Sequence, residues 1–236
     1  MEQENIGTPS LICGGQEFVS TLRRFGGTQF FGGCCMNDGI KILSAKQYFD
    51  DLQRVVARVS REGLDQIADT LMEAYESGRT VFTFGNGGSA ALASHLACDL
   101  GKGTAYCNGG KRFRALALTD NLSVLTAWAN DSGYEDVFSE QLRTFIQPQD
   151  VAFAISASGN SKNVLNALRV AREASARTVG ISGFEGGQMK SLCDICVVVP
   201  SSNMQIIEDL HLAMGHSIFR VVHSRMSRRT LTAYQR

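Results

Sequence analysis

The chain has 236 residues, enough for one α/β domain of ordinary size with some extra helix and short for two independent domains. Hydrophobic residues make up 44% and charged residues 19%, which excludes a disordered or collagen-like chain. Lysine plus arginine (23) equals aspartate plus glutamate (23), so no global charge attracts nucleic acid or an anionic membrane, and any anionic ligand must be held by a local device.

The chain opens on Glu2 and Glu4, unlike the basic start and apolar core of a secretory leader, and no stretch approaches the roughly 20 apolar residues of a membrane span. A cytoplasmic protein is expected. Seven cysteines, at Cys13, Cys34, Cys35, Cys98, Cys107, Cys193 and Cys196, do not look like a secreted disulfide framework. Residues 1–43 carry Gly14-Gly15, Gly26-Gly27, Gly32-Gly33 and the Cys34-Cys35 pair without a sustained period, so an irregular extension is expected there, with one folded domain over 44–236.

From Ser44 the pattern becomes helical. Tyr48, Leu52, Val55, Val56 and Val59 recur at helical spacing, and so do Leu64, Ile67, Ala68, Leu71 and Ala74 after an expected break at Gly63. Short apolar runs then alternate with helical patterns. Val81–Phe84 precedes Gly85-Asn86-Gly87-Gly88-Ser89, Ala115–Leu118 precedes Thr119-Asp120-Asn121, and Val151–Ile155 precedes residues 156–161. Thr178–Ile181 and Ile195–Val199 complete the set. Strands of this length separated by helices predict an α/β fold, a doubly wound parallel five-stranded sheet flanked by helices, with two helices ahead of it. A last helix is expected from Ile206 to Met226, with Ile207, Leu210, Met214, Ile218, Val221 and Val222 on its apolar face. Ligands in such sheets bind beyond the carboxyl ends of the strands.

The strongest local signal there is Ser156-Ala157-Ser158-Gly159-Asn160-Ser161, a strand end running into a helix that starts near Lys162. Small hydroxyl residues and a glycine let free backbone N–H groups converge on an anion at the positive end of the helix. A turn and N-cap would call for similar residues. The loop from Gly85 to Ser89 lacks the third glycine of a dinucleotide fingerprint and the lysine of a P-loop. It is equally compatible with a tight turn and a sugar-phosphate loop.

His95 and Asp99 stand four apart on the following helix, and Glu208 and His216 stand eight apart on the last one. Each pair returns to one helix face, so together they could supply the four ligands of zinc or another divalent ion. A surface His/acid pair has the same spacing. His211 is expected in a structural role, and His223, near Arg225, Arg228 and Arg229, on a solvated helix end. Cys193 and Cys196 have the Cys-x-x-Cys spacing of redox and metal sites, but the reading taken is two cysteines entering a buried strand.

In combination, the 85–89 loop, His95 and Asp99, the 156–161 loop, Glu208 through His216, and Asn130-Asp131-Ser132-Gly133-Tyr134 through Phe138 resemble the sugar isomerase (SIS) domain. The likeness spans about residues 45–226 and is greatest to its phosphoheptose isomerase branch. That resemblance implies aldose–ketose isomerisation of a phosphorylated sugar, sedoheptulose 7-phosphate to a mannoheptose 7-phosphate. It implies a homotetramer with active sites at subunit interfaces and, in many members, zinc. Carried over by motif, Ser89, Ser156, Ser158 and Ser161 hold phosphate, with Asn86, Gly87, Asp120 and Glu208 toward the sugar. His95, Asp99, Glu208 and His216 match the metal positions, and Asp99 and His216 the acid and base, on opposite sides of the sugar and working through an enediol. The family usually has Glu at Asp99, Gln at Glu208 and Thr at Ala157. The alternative is a non-catalytic SIS regulator that binds phosphosugars or a replication initiator, which would need none of the four metal-position residues.

Overall fold

A computed structural model describes residues 44–107 and 111–234, with side chains as far as Ser227. The expected N-terminal extension over residues 1–43 lies outside the described residues, together with Cys13, Cys34 and Cys35. The five apolar runs form β1 (Thr80–Gly85), β2 (Arg114–Ala117), β3 (Val151–Ser156), β4 (Arg177–Gly183) and β5 (Ile195–Val199). They pair in the order β2-β1-β3-β4-β5, every pair parallel. Parallel neighbours require crossovers, and the helices supply them: α1 (Ala45–Val56) and α2 (Arg61–Glu76) ahead of the sheet, α3 (Gly88–Cys98), α4 (Leu122–Asp131), α5 (Ser139–Phe145), α6 (Lys162–Glu173) and α7 (Met189–Leu192) within it, and α8 (Met204–Tyr234) after it.

Because side chains alternate along a strand, each strand feeds two cores. Val81, Phe153, Ile155 and Ile181 face a cluster completed by Ile67 and Leu71 of α2, Leu96 of α3 and Met214 and Ile218 of α8. Phe82, Phe84, Ala152 and Ala154 face the opposite cluster, with Phe138, Leu142, Leu165 and Leu168 from α6 and the segment before it. Coverage on both faces explains why the strands read as unbroken apolar runs instead of alternating ones. Among the described residues no helix is long and apolar enough to cross a membrane.

Two boundaries differ from expectation. The first two helices separate at residues 57–60, not at Gly63; Ser60 caps α2 by accepting from the Gly63 amide at 3.1 Å. Gly63 lies in the first turn of α2, where a Cβ would stand 2.7 Å from Val197 Cγ2, so close approach to β5, not chain reversal, selects it. The last helix continues past Met226 to Tyr234. His223, expected in solvent, is half-buried with its ring 5.7 Å from that of Phe219.

α1 buries no residue fully, and Tyr48, Leu52 and Val55 give it only a partial seam on the core. The Tyr48 hydroxyl donates to Asp209 Oδ2 at 2.5 Å, tying α1 to α8. Burial, reinforced by that hydrogen bond and the carboxylate charge, pushes the phenol up to about 12.

The amino ends of the strands are pinned by two aspartates, Asp150 buried and Asp194 exposed. Asp150 accepts from the amides of Thr80 and Gln147, each at 2.8 Å, and Asp194 accepts from the Thr178 amide at 2.8 Å. These carboxylates satisfy strand-end donors that no ladder partner reaches. Asp150→Ala is expected to lower unfolding free energy by about 1–3 kcal/mol, since it leaves two part-buried amide donors without their acceptor; urea titration followed by circular dichroism measures it.

Candidate active site

The strand order changes direction between β1 and β3, and helices from those two strands leave on opposite faces of the sheet. A crevice therefore opens beyond the carboxyl ends of β1 and β3. It holds a cavity of about 160 Å³ lined by Asn86, Ser89, Ser156, Ser158, Ser161 and Glu208, a volume equivalent to about five waters. Two helix N-termini border it. α3 begins after Gly87, whose φ of +55° favours glycine and which offers no side-chain cap. α6 begins after Ser161, whose hydroxyl makes no cap hydrogen bond and lies 3.4 Å from Ser156 Oγ. The serine is therefore not spent on capping. Uncapped amides, hydroxyls and two positive helix ends in one crevice make an anion site without any basic side chain.

The two loops are held together by an amide pair. Asn86 Nδ2 donates to Asn163 Oδ1 at 2.9 Å, Asn163 Nδ2 donates to Asn86 Oδ1 at 2.8 Å, and the Tyr134 hydroxyl donates to the same Asn86 oxygen at 2.9 Å. Asn86, expected toward the sugar, thus also joins β1's loop to α6. Asp120 lines neither cavity of the site; it accepts from Ser94 of α3 and, at 3.3 Å, from Thr119.

α3 and α8 run side by side in the same direction. A Cβ on Gly88 would stand 3.0 Å from Glu208 Oε1, one on Gly215 would stand 3.2 Å from Leu92 Cδ1, and one on Gly103 would stand 2.7 Å from the Phe219 ring. In that register His95 meets His216, Nε2 to Nε2, at 3.2 Å. Asp99 Oδ2 lies 3.5 Å from His95 Nε2. Asp99 is not on α3 as expected but opens a π-helical turn, Asp99–Gly103. One ligand atom from each of His95, Asp99 and His216 falls within 4.8 Å of the others.

A tetrahedral ion with ligands at about 2.0–2.2 Å sets its ligand atoms roughly 3.3–3.6 Å apart, so the two shorter spacings fit zinc with small shifts. Without an ion, the 3.2 Å contact is an imidazole–imidazole hydrogen bond with one ring donating. Glu208 is not in this cluster. Eight residues advance a helix by about 12 Å, and in α8 they place Glu208 at the amino end of α3, where a carboxylate complements the helix dipole. The expected four-ligand set is thus three together and one apart. Asp99 and His216, expected on opposite sides of a sugar, are neighbours within the chain.

Between these two centres lies a second cavity, about 330 Å³, lined by Ser89, His95, Glu208, Asp209, His211 and Leu212 among others. Ser89 and Glu208 line both cavities, so the anion site and the imidazole cluster are two ends of one tract.

Residues 47–183 match the family model of the SIS domain. The chain is 38% identical over 179 residues to the phosphoheptose isomerase of Aliarcobacter butzleri, covering 74% of this chain and 93% of that one. It is 37% identical over 180 residues to a probable phosphoheptose isomerase of Thermoplasma acidophilum, covering 76% and 98%. The solved phosphoheptose isomerase of Neisseria gonorrhoeae superposes with a TM-score of 0.70 at 29% identity over 76% of this chain and 96% of that one. The chain belongs to the SIS-domain family, in its phosphoheptose isomerase branch.

Sequence reasoning missed three parts of this SIS site. Asn163 and Tyr134 carried no motif of their own, because their work depends on where Asn86 lies. His211 was placed only as structural. It is 1% exposed, neither ring nitrogen makes a hydrogen bond of acceptable geometry, and it lines the larger cavity. Burial pushes its pKa down to about 4, partly offset by the backbone of Ser182.

Because the folded pKa of His211 lies below its unfolded value, the unfolded chain binds the extra proton, and stability falls as pH drops from about 6.5 to about 4. The loss from this group is expected to reach about 3 kcal/mol. Comparing the pH dependence of urea midpoints for the wild type and His211→Gln should show that step in the wild type alone. Asn163→Ala is expected to cost about 1–2 kcal/mol by unpairing the half-buried Asn86 amide, with a rise in KM for the phosphorylated substrate as the loops loosen.

Proposed function

We propose that this chain is an aldose–ketose isomerase of a phosphorylated sugar, acting on sedoheptulose 7-phosphate to give D-glycero-D-manno-heptose 7-phosphate. The observation that carries the reading is the continuous tract from two uncapped helix N-termini to the His95, Asp99 and His216 cluster. The phosphate lies against Ser89, Ser156, Ser158 and Ser161, where amides and hydroxyls neutralise it. The sugar then extends past Gly87, Asn86 and Glu208 toward the cluster, with Asp120 at its outer edge.

Isomerisation removes a proton from the carbon beside the carbonyl and delivers one to the oxygen, by way of an enediol. Asp99 and His216 are the acid and base. Their adjacency places both on one side of the enediol, so one works at carbon while the other works at oxygen along the same edge. His95, between them, keeps the pair oriented. Zinc or another divalent ion, held by His95, Asp99 and His216, would polarise the carbonyl. Glu208 is the outlying fourth ligand position.

The SIS unit is residues 44–236, with 1–43 as an extension outside it. The partner is a phosphorylated sugar, with no nucleic acid or membrane, in the cytoplasm. The assembly is a homotetramer with sites at subunit interfaces. The exposure of His95 and His216, and of Leu212 beside them at 41%, supports a second surface closing over the cluster. Retention of the imidazole–carboxylate cluster favours an enzyme over a phosphosugar-sensing regulator, which needs none of it.

The test is incubation with sedoheptulose 7-phosphate, following the new aldose phosphate by NMR, with added zinc and with chelator. Turnover in the wild type, with kcat reduced at least about 100-fold in Asp99→Asn and His216→Ala, is the expected result. Binding of the sugar phosphate without turnover under any condition would overturn the enzymatic reading in favour of the regulator. Turnover insensitive to chelator would remove the metal alone.

A further inference from the structure

The Cys-x-x-Cys motif is not absorbed by the isomerase reading, and the structure alters its expected meaning. Cys193 lies just before β5 and Cys196 within it, paired in register with Gly180 of β4. Both sulfurs converge on that glycine. A Cβ there would stand 2.8 Å from Cys193 Sγ and 3.5 Å from Cys196 Sγ, so the missing side chain of Gly180 is the space the thiol pair occupies. Neither is a fully buried core cysteine; both are half-buried thiols. Cys193 and Cys196 both pack against the core on the α6 face of the sheet, and Cys196 alone of the two also borders a groove of about 590 Å³ lined by Arg58, Lys190 and Asp194.

We infer that Cys193 and Cys196 form a reactive dithiol, distinct from the isomerase site, that hydrogen peroxide oxidises to an intramolecular disulfide, with Cys196 attacking and Cys193 resolving.

The asymmetry of the pair assigns these roles. The hydrogen bond from Cys193 pushes the Cys196 thiol down, with Lys190 adding to it against burial. The same hydrogen bond, burial and the neighbouring Asp194 carboxylate hold the Cys193 thiol far up. Cys196 is the member of the pair that borders the groove, and a thiolate reachable from solvent beside a protonated partner is the arrangement that attacks and is then resolved. The Cys196 thiolate attacks one peroxide oxygen. An S–O bond forms as the O–O bond breaks, and the departing hydroxide takes the Cys193 proton and leaves as water. The Cys193 thiolate then attacks the Cys196 sulfur. An S–S bond forms, the S–O bond breaks, and the second hydroxide takes a proton from solvent. Two thiols lose two electrons, and one peroxide becomes two waters.

The test uses the full wild-type chain. It is treated with hydrogen peroxide, blocked with N-ethylmaleimide and cleaved with trypsin. The peptide from Ser191 to Arg220 contains Cys193 and Cys196 and no other cysteine, so the other thiols do not confuse it. The expected product is that peptide lighter by two hydrogens and unlabelled, returning to the doubly labelled form after dithiothreitol. In Cys193→Ser, Cys196 is expected to persist as a sulfenic acid trapped by dimedone, with turnover of the sugar phosphate unchanged in the untreated variant. Recovery of the doubly maleimide-labelled peptide after peroxide would overturn the proposal. So would separate oxidation of each sulfur to sulfinic or sulfonic acid. Dimedone trapping at Cys193 instead of Cys196 in the single-serine variants would overturn the assigned roles. None of these outcomes depends on whether the chain isomerises sedoheptulose 7-phosphate.

Discussion

The close parallel packing of α3 against α8 is the constraint on which the rest of the site depends. Gly88 leaves room for the Glu208 carboxylate and Gly215 for Leu92, and Gly103 lets the turn after α3 lie on Phe219. With larger residues at these contacts the helices would stand further apart, since interaxial distance follows the side chains at the crossing. The observed register brings His95 and His216 to 3.2 Å and buries His211 beneath the tract that leads to them. It also carries Glu208 to the amino end of α3, where a carboxylate complements the helix dipole.

The sheet supplies the other half of the site. In the order β2-β1-β3-β4-β5 the chain diverges between its two central strands, and the first helix after each carries its positive end to the same crevice. In a chain with equal numbers of acidic and basic residues, the positive field of this pocket comes from helix ends and not from a lining lysine or arginine. The reciprocal Asn86–Asn163 amide pair keeps the two helix starts from drifting apart. It does so with neutral groups, whose hydrogen bonds add no charge to compete with a phosphate.

Much of the fold was legible in the sequence because it rests on local pattern. The five apolar runs became the five strands within a residue or two at each end, and the 156–161 loop opened its helix at Lys162 as expected. What misled was the use of a residue type without its neighbours. Gly63 looked like a breaker but serves close approach to β5. The eight-residue spacing from Glu208 to His216 gave one helix face, and the three donors that fall within 4.8 Å of one another are His95, Asp99 and His216. Asp99 was placed on a regular helix, while a π-helical turn begins there, a local rearrangement often found at functional positions.

By itself the sequence determined the alternation of strands and helices, the small hydroxyl-rich turn at 156–161, and the donor types at residues 95, 99, 208 and 216. These follow from hydrophobic period, small-residue turns and side-chain chemistry, all properties of short stretches of chain. Only the tertiary structure decided which donors meet, because that depends on the relative register of α3 and α8, more than 100 residues apart in the chain. It decided that Asn163 and Tyr134 share Asn86, that His211 is buried beneath the larger cavity, and that two cysteines share the space above a glycine on the next strand. Each is a contact between elements whose separate patterns are indifferent to it, so packing had to choose.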